Sequence, residues 1–331
     1  MSLLGSMQAH LNAVPHLVLG LQVLGALSAA IAVSGALSFT YDTFLRPGVS
    51  LRKFGAKKGA WAVVTGASDG IGREFAIQLA RAGFNVLLAA RNQAKLDSVV
   101  DDIFKACGNG GEGEGVQTKT FVVDFASADD ARWEAFLEEL KPIEVGVLVN
   151  NVGVSHEFPS DFVDTSPEEL GTIINVNVTA TLRITSLIAP SMASRKKGLI
   201  LNMGSFAGAA PTPMLAVYSA SKAFVRTWSE SLAAELAPKG VVVEHANTYY
   251  VTSAMSKIRR PSLFIPTPKA FVRAVLAKIA PGTTTPYWTH ALIGAVLNLA
   301  PSKVVLAYTH SLLKDTRRRA LAKRAKLAKQ E

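Results

Sequence analysis

A chain of 331 residues is long enough for one large α/β domain with appendages. Its 49% hydrophobic content is high for a water-soluble protein, and a single cysteine, Cys107, excludes an internal disulfide framework and fits a reducing compartment. The net charge of +10 sits in two short segments, 40–60 with +4 and 314–331 with +6; the balanced middle argues against a nucleic-acid binder and for a membrane surface.

Residues 1–16 form a short leading segment. From Leu17 to Phe39 the sequence reads "LVLGLQVLGALSAAIAVSGALSF" without one charge. Spanning hydrocarbon takes ~20 apolar residues as a helix, so 17–39 is predicted as a transmembrane anchor. A cleaved signal peptide would want a positive n-region and a shorter apolar core, yet nothing before residue 40 is charged. The basic linker 40–59 follows the anchor, so the positive-inside rule predicts a single-pass protein whose remainder faces the cytosol.

Between 60 and 282 short apolar runs alternate with helical patterns. Strands are predicted at 61–65, 85–90, 118–123, 145–149, 198–203 and 240–246, with helical patterns notably over 70–83, 167–190 and 214–237. Alternation of this kind predicts an α/β fold, a doubly wound parallel sheet covered on both faces. Between the first strand and helix lies "TGASDGIG", Thr65 to Gly72. Glycines 66, 70 and 72 permit a tight turn and close backbone approach, so that the helix N-terminus can receive a pyrophosphate. The second strand ends at Arg91, where an arginine can pair with the 2′-phosphate of NADP. A solvated surface arginine is the plain alternative.

In "GSFAGAAPTPMLAVYSASK", residues 204–222, Tyr218 and Lys222 stand four apart and share a helix face, with Ser205 upstream. A neighbouring cation favours phenolate and is expected to lower the tyrosine pKa, making Tyr218 a proton donor near neutral pH. Taken alone, the motif also fits an ordinary surface helix. His156 reads as a solvated loop histidine, and no Cys/His spacing suggests a metal.

Past residue 282, the apolar stretch 286–313 is broken by Pro301, Ser302 and Lys303. Two readings stay open: an interfacial membrane element with Tyr287 and Trp288 at headgroup level, or packing against the domain. The tail 314–330 reads by default as a solvated, frayed terminus, with a basic helix on anionic lipid as the alternative.

In their order and spacing, "TGASDGIG" at 65–72, Asp124, "NNVG" at 150–153, Asn177 in "INVNV", Ser205 and "YSASK" at 218–222 resemble the short-chain dehydrogenase/reductase family across roughly 60–280. The resemblance implies a Rossmann fold, NADPH as cofactor, and four catalytic residues. Tyr218 would protonate a carbonyl oxygen as hydride arrives, Lys222 would bind the nicotinamide ribose, Ser205 would hydrogen-bond the substrate oxygen, and Asn177 would hold a water behind Lys222. Cofactor contacts are implied at Thr65, Gly66, Ser68, Asp69, Gly70, Ile71, Gly72, Arg91, Asp124, Asn150, Asn151, Val251 and Ser253, together with Tyr218 and Lys222. Dimers through helices are suggested as well. The chain departs from the pattern after the sixth strand: Thr248 and Tyr249 stand where the family usually has Pro-Gly.

"VTSAMSKIRRPSLFIPTPKAFVRAVL" and "TPYWTHAL" resemble the microsomal 3-oxoacyl-CoA reductases of that family. This implies reduction of long-chain 3-oxoacyl-CoA at the endoplasmic reticulum membrane, beside a condensing enzyme, a dehydratase and an enoyl reductase. In "KIRRPSLFIP", Lys257, Arg259 and Arg260 are candidates for CoA phosphates, while Leu263, Phe264 and Ile265 are candidates to cover the acyl chain. A lid loop with ordinary surface charge is the alternative. The rivals for the whole chain are a 17-beta-hydroxysteroid dehydrogenase and a catalytically silent, membrane-anchored scaffold.

Overall fold

The protein is described by a computed structural model over residues 15–108 and 115–327. The first fourteen residues, the centre of the glycine-rich loop after Cys107 and the end of the tail lie outside the described residues. The chain divides into two units, Met1–Arg46 and Pro47–Glu331.

Among the described residues, the first unit holds one helix, α1 (Pro15–Thr40), continued by a π turn at Tyr41–Leu45. No residue of α1 is buried against protein although the helix is apolar all round, a combination that suits burial in a bilayer. An 18-residue stretch within Pro15–Leu45 has a mean hydropathy of 2.1, and the helix is long and apolar enough to cross a membrane. Pro167–Ser194 meets the same length and composition test, but that segment is packed into the second unit.

The second unit begins earlier than the basic linker suggested. Ser50 caps a short turn at Leu51–Phe54, whose last side chain is fully buried among the strands. The apolar Phe54 therefore decides the fate of a segment that its charges would have left in solvent.

Seven strands form one parallel sheet: β1 (Trp61–Thr65), β2 (Asn85–Ala90), β3 (Thr118–Val122), β4 (Val145–Asn150), β5 (Gly198–Met203), β6 (Val241–Ala246) and β7 (Gly282–Thr284), in the order β3-β2-β1-β4-β5-β6-β7. Successive side chains point to opposite faces of a strand, and each face has its own core. Ala62, Val64, Leu88 and Val149 pack under α2 (Gly70–Arg81), α3 (Gln93–Cys107) and α8 (Pro268–Ala277). Trp61, Val63, Leu87 and Leu148 pack under α4 (Asp130–Leu140), α6 (Ala180–Ser194) and α7 (Ala216–Leu236). Strands buried on both sides read as continuous apolar runs, which is why five of the seven are so plain in the sequence. The helix predicted over 167–190 is α5 (Pro167–Ile174) and α6 joined by a π turn at Asn175–Thr179.

After β7 come α9 (Trp288–Leu299) and α10 (Ser302–Leu327). The tail is thus helical as far as Leu327 rather than frayed. Val305 and Leu313 are buried, and Arg317 reaches Asp164 at 2.9 Å and Asp161 at 3.8 Å. An ion pair to a loop some 150 residues upstream is invisible to local sequence patterns. Because Arg317 is largely buried, Arg317→Ala should release the second half of α10, and amide exchange over 310–327 should quicken by about tenfold or more. Unchanged exchange would show that apolar packing alone holds the helix.

Candidate active site

β1 lies between β2 and β4, so the chain leaves it in opposite directions on its two sides and opens a crevice beyond the strand ends. Thr65 closes the floor: its hydroxyl donates to the Val149 carbonyl at 3.2 Å and accepts the Asn151 and Val152 amides at 3.0 Å each. Asn151 Nδ2 returns a bond to the Thr65 carbonyl at 2.9 Å. Above this floor is a cavity of about 700 Å³, walled by Gly66, Ser68, Asp69, Gly70, Ile71 and Gly72 on one side and by Asn151, Gly153 and Ser253 on others. Gly66 and Gly70 take left-handed φ values of 63° and 57°, and a Cβ on Gly72 would overlap the Gly66 carbonyl oxygen. Asp69 caps α2 by accepting the Gly70 N–H at 2.7 Å. The free amides and dipole of the α2 N-terminus lie at this wall and favour an anion there.

At the far end stand Arg91, Asp124, Asn92 and Lys95. Asn92 caps α3 by accepting the Lys95 amide at 2.9 Å, which places a second cation one turn beyond Arg91. Two exposed cations beside a glycine turn suit a dinucleotide carrying an extra phosphate. Thr65 and Asn150 stand behind the cavity wall, and Val251 is packed into the core. Asn150 spans strands and helix instead, donating to Asn202 Oδ1 at 2.8 Å and Thr185 Oγ1 at 2.9 Å.

Ser205, Tyr218, Lys222 and Asn177 come together beyond β5. Asn202 Nδ2 donates to Ser229 Oγ at 2.9 Å, fastening α7 to the sheet. Ser219 Oγ donates to the Ala207 carbonyl at 2.5 Å, and Gly208 lies so close to Lys222 that a Cβ would strike its backbone. α7 is therefore clamped to the turn that carries Ser205. The Ser205 hydroxyl hydrogen-bonds the Tyr218 phenol and also accepts the Ala207 amide at 3.2 Å. Lys222 is buried, with Nζ donating to the Met203 carbonyl at 3.0 Å. Asn177, on the π turn, accepts the Val154 amide at 2.8 Å and donates to the Val154 carbonyl and Ser221 Oγ at 2.9 Å each. Gly153 joins this group to the cavity: a Cβ there would stand 3.5 Å from Lys222 Nζ and 3.4 Å from Asn177 Oδ1.

The electrostatics differ from the expectation in one respect. Burial pushes the Tyr218 phenol up, opposed by the Ser205 hydrogen bond and reinforced by Tyr250. Lys222 does not set this value, because its ammonium rests on the Met203 carbonyl and is itself held down to about 8 by burial.

A profile of the short chain dehydrogenase family matches residues 60–263. The chain belongs to the short-chain dehydrogenase family. A very-long-chain 3-oxoacyl-CoA reductase of Laccaria bicolor is 49% identical over 326 residues, covering 95% of this chain and 94% of that protein. One of the same description from Coprinopsis cinerea is 50% identical over 321 residues, covering 93% and 92%. Among solved structures, a short-chain dehydrogenase from Sphingobium yanoikuyae in complex with NADPH is 27% identical, with a TM-score of 0.59, covering 72% of this chain and 94% of that one.

Several site features escaped sequence reasoning. Lys95 was signalled only by its place one turn after Arg91. Tyr250, half-exposed and set edge-on to Tyr249 with centroids 4.8 Å apart, acts on the Tyr218 phenol. His156 is buried rather than solvated, with Nδ1 2.8 Å from Glu169 Oε1, because α5 brings that carboxylate over the loop. Where Pro-Gly was missing, the Phe206 amide donates to the Thr248 carbonyl at 2.9 Å and the Tyr249 amide donates to His290 Nδ1 at 3.3 Å. Burial holds His290 down to about 4, so it stays a neutral acceptor throughout the working range.

Gly72→Ala must displace the Gly66 carbonyl and so reshape the anion wall. NADPH affinity, measured by fluorescence titration, should fall by about tenfold or more. An unchanged affinity would mean that the dinucleotide does not lie against this turn.

Proposed function

We propose that this protein reduces very-long-chain 3-oxoacyl-CoA to the 3-hydroxyacyl-CoA with NADPH, as a membrane-anchored enzyme of fatty-acid elongation. The observation that carries the substrate is the likeness to named 3-oxoacyl-CoA reductases over 93–95% of the chain, well beyond the part common to the wider family. The cavity fits the cofactor on independent grounds: a Cβ-intolerant glycine turn, a helix N-terminus at the wall, and Arg91 with Lys95 at the far end.

NADPH, when bound, supplies a hydride to the ketone carbon. Tyr218 gives its phenolic proton to the oxygen as negative charge develops there. A phenol kept protonated by burial holds the proton that this step needs. Ser205 holds the same oxygen by a hydrogen bond that strengthens with its charge. Lys222, held against the Met203 carbonyl, would bind the ribose side. Asn177 fixes the loop of Val154 against α7 and stands where the proton relay continues behind Lys222. Arg91 and Lys95 take the extra phosphate, and Asp124 lies at the adenine end.

α1 is the membrane anchor in this reading, and the basic residues after it place the folded unit on the cytosolic face of the endoplasmic reticulum membrane. Residues 60–282 form the catalytic domain, with 283–331 as an apolar and basic extension at the membrane. Long acyl-CoA partitions into membranes, so anchoring raises its local concentration. Arg259 and Arg260, both exposed, are offered to CoA phosphates. Condensing enzyme, dehydratase and enoyl reductase are the expected neighbours, and a homodimer through helices is the expected assembly.

Purified protein in detergent, given NADPH with a long-chain 3-oxoacyl-CoA or a 17-ketosteroid, tests the reading. Rapid turnover of the acyl-CoA, reduced by about a thousandfold or more in Tyr218→Phe, is expected. Turnover of the steroid alone would replace the substrate assignment, and NADPH binding without turnover of either would favour a scaffold. Arg91→Asp should shift preference from NADPH toward NADH by at least tenfold in kcat/KM; an unmoved ratio would remove Arg91 from phosphate recognition.

A further inference from the structure

Two loops form the mouth of the cofactor cavity at its inner end. One follows β4 and contributes Val152, Gly153 and Val154; the other follows β6 and contributes Ser253, Ala254 and Met255. Two residues past Met255, Lys257 Nζ donates to the Glu157 backbone carbonyl at 2.7 Å, only three residues past Val154. A single side chain thus crosses from one lip of the mouth to the other.

Both ends of this bridge are held. The Glu157 carbonyl follows His156, whose buried ring is fixed by Glu169, and Val154 is fixed by Asn177. On the other lip, Ser256 Oγ accepts the Ser253 and Ile258 amides at 3.2 and 3.3 Å and donates to the Val251 carbonyl at 2.7 Å. Ser253 and Ile258 form an antiparallel bridge across the same turn. Lys257 stands in this turn with a left-handed φ of 56°, which costs an L residue energy that glycine would not spend. A lysine in a position that suits glycine, aimed at a carbonyl on the opposite lip, is more than an incidental surface contact. It is also exposed, so water can replace the carbonyl and let the bridge open.

We infer that Lys257 is a positioning residue, a latch that closes the two lips over bound cofactor and slows its departure. This rests on the proposed dinucleotide site and moves Lys257 from CoA recognition to retention of the cofactor. The latch explains why the turn is wired internally: a flexible turn would spend the hydrogen bond on ordering itself.

The test uses the full chain with Lys257→Met, which keeps the stem and removes the ammonium, and Lys257→Arg, which restores a donor. NADPH release is followed by stopped-flow displacement without acyl substrate. Separately, cleavage of the cofactor-free protein after Arg259 is followed with an arginine-specific protease. In Lys257→Met, release and cleavage should each quicken about fivefold to tenfold, and Lys257→Arg, read by release alone because it adds a cleavage site, should return release toward wild type. Equal rates in wild type and Lys257→Met would overturn the latch. Should wild-type protein fail to bind NADPH, the dinucleotide reading falls, while the cleavage rates still judge the bridge.

Discussion

The structure depends on one costly placement, the Lys222 ammonium buried against the Met203 carbonyl. A buried cation with one carbonyl partner is a poor route to stability. The surrounding bonds act to keep it there. Asn150, Asn202 and Ser229 join β4, β5 and α7 in a line of buried hydrogen bonds, so that the helix carrying Tyr218 and Lys222 cannot slide along the sheet. Asn177 approaches from the other side through Ser221, and the Ser205 turn closes against the backbone of Lys222. Residues that touch no reacting atom thereby hold a donor, an acceptor and a cation in one register.

The same economy shapes the cavity. Thr65 and Asn151 spend their polar groups on joining the ends of β1 and β4, which leaves the glycine turn free to expose its amides. After β6 the backbone lacks the stiffness of Pro-Gly, and α9 supplies it from outside through His290 at Tyr249, with Thr289 Oγ1 donating to the Leu263 carbonyl at 3.1 Å. The C-terminal extension is accordingly a structural part of the site as well as an apolar surface.

Much of this was legible in the sequence, for identifiable reasons. Strands such as "WAVVT" and "VGVLVN" are buried on both faces, so their apolar runs are unbroken. The glycines and the Tyr218–Lys222 pair are local patterns whose spacing carries their geometry. β7 was missed because three residues, Gly-Thr-Thr, are too few and too polar to stand out. The π turn at Asn175–Thr179 hides in an apolar helix whose periodicity continues through it. His156 looked solvated because its partner lies thirteen residues away, and the tail looked frayed because Arg317 pairs with a distant loop. What the sequence conceals here is contact between segments far apart in the chain.

Burial governs Lys222, whose ammonium has the Met203 carbonyl as its partner. Its folded pKa lies below its unfolded value, so the unfolded chain binds the extra proton between the two, and stability rises with pH across that window. The most direct measurement is an NMR titration of the Lys222 side chain in isotopically labelled, cofactor-free protein, assigned by comparison with Lys222→Met. The expected midpoint is about 8. A midpoint at the ordinary lysine value of ~10.4 would mean a hydrated ammonium, and would contradict the buried arrangement on which the site depends.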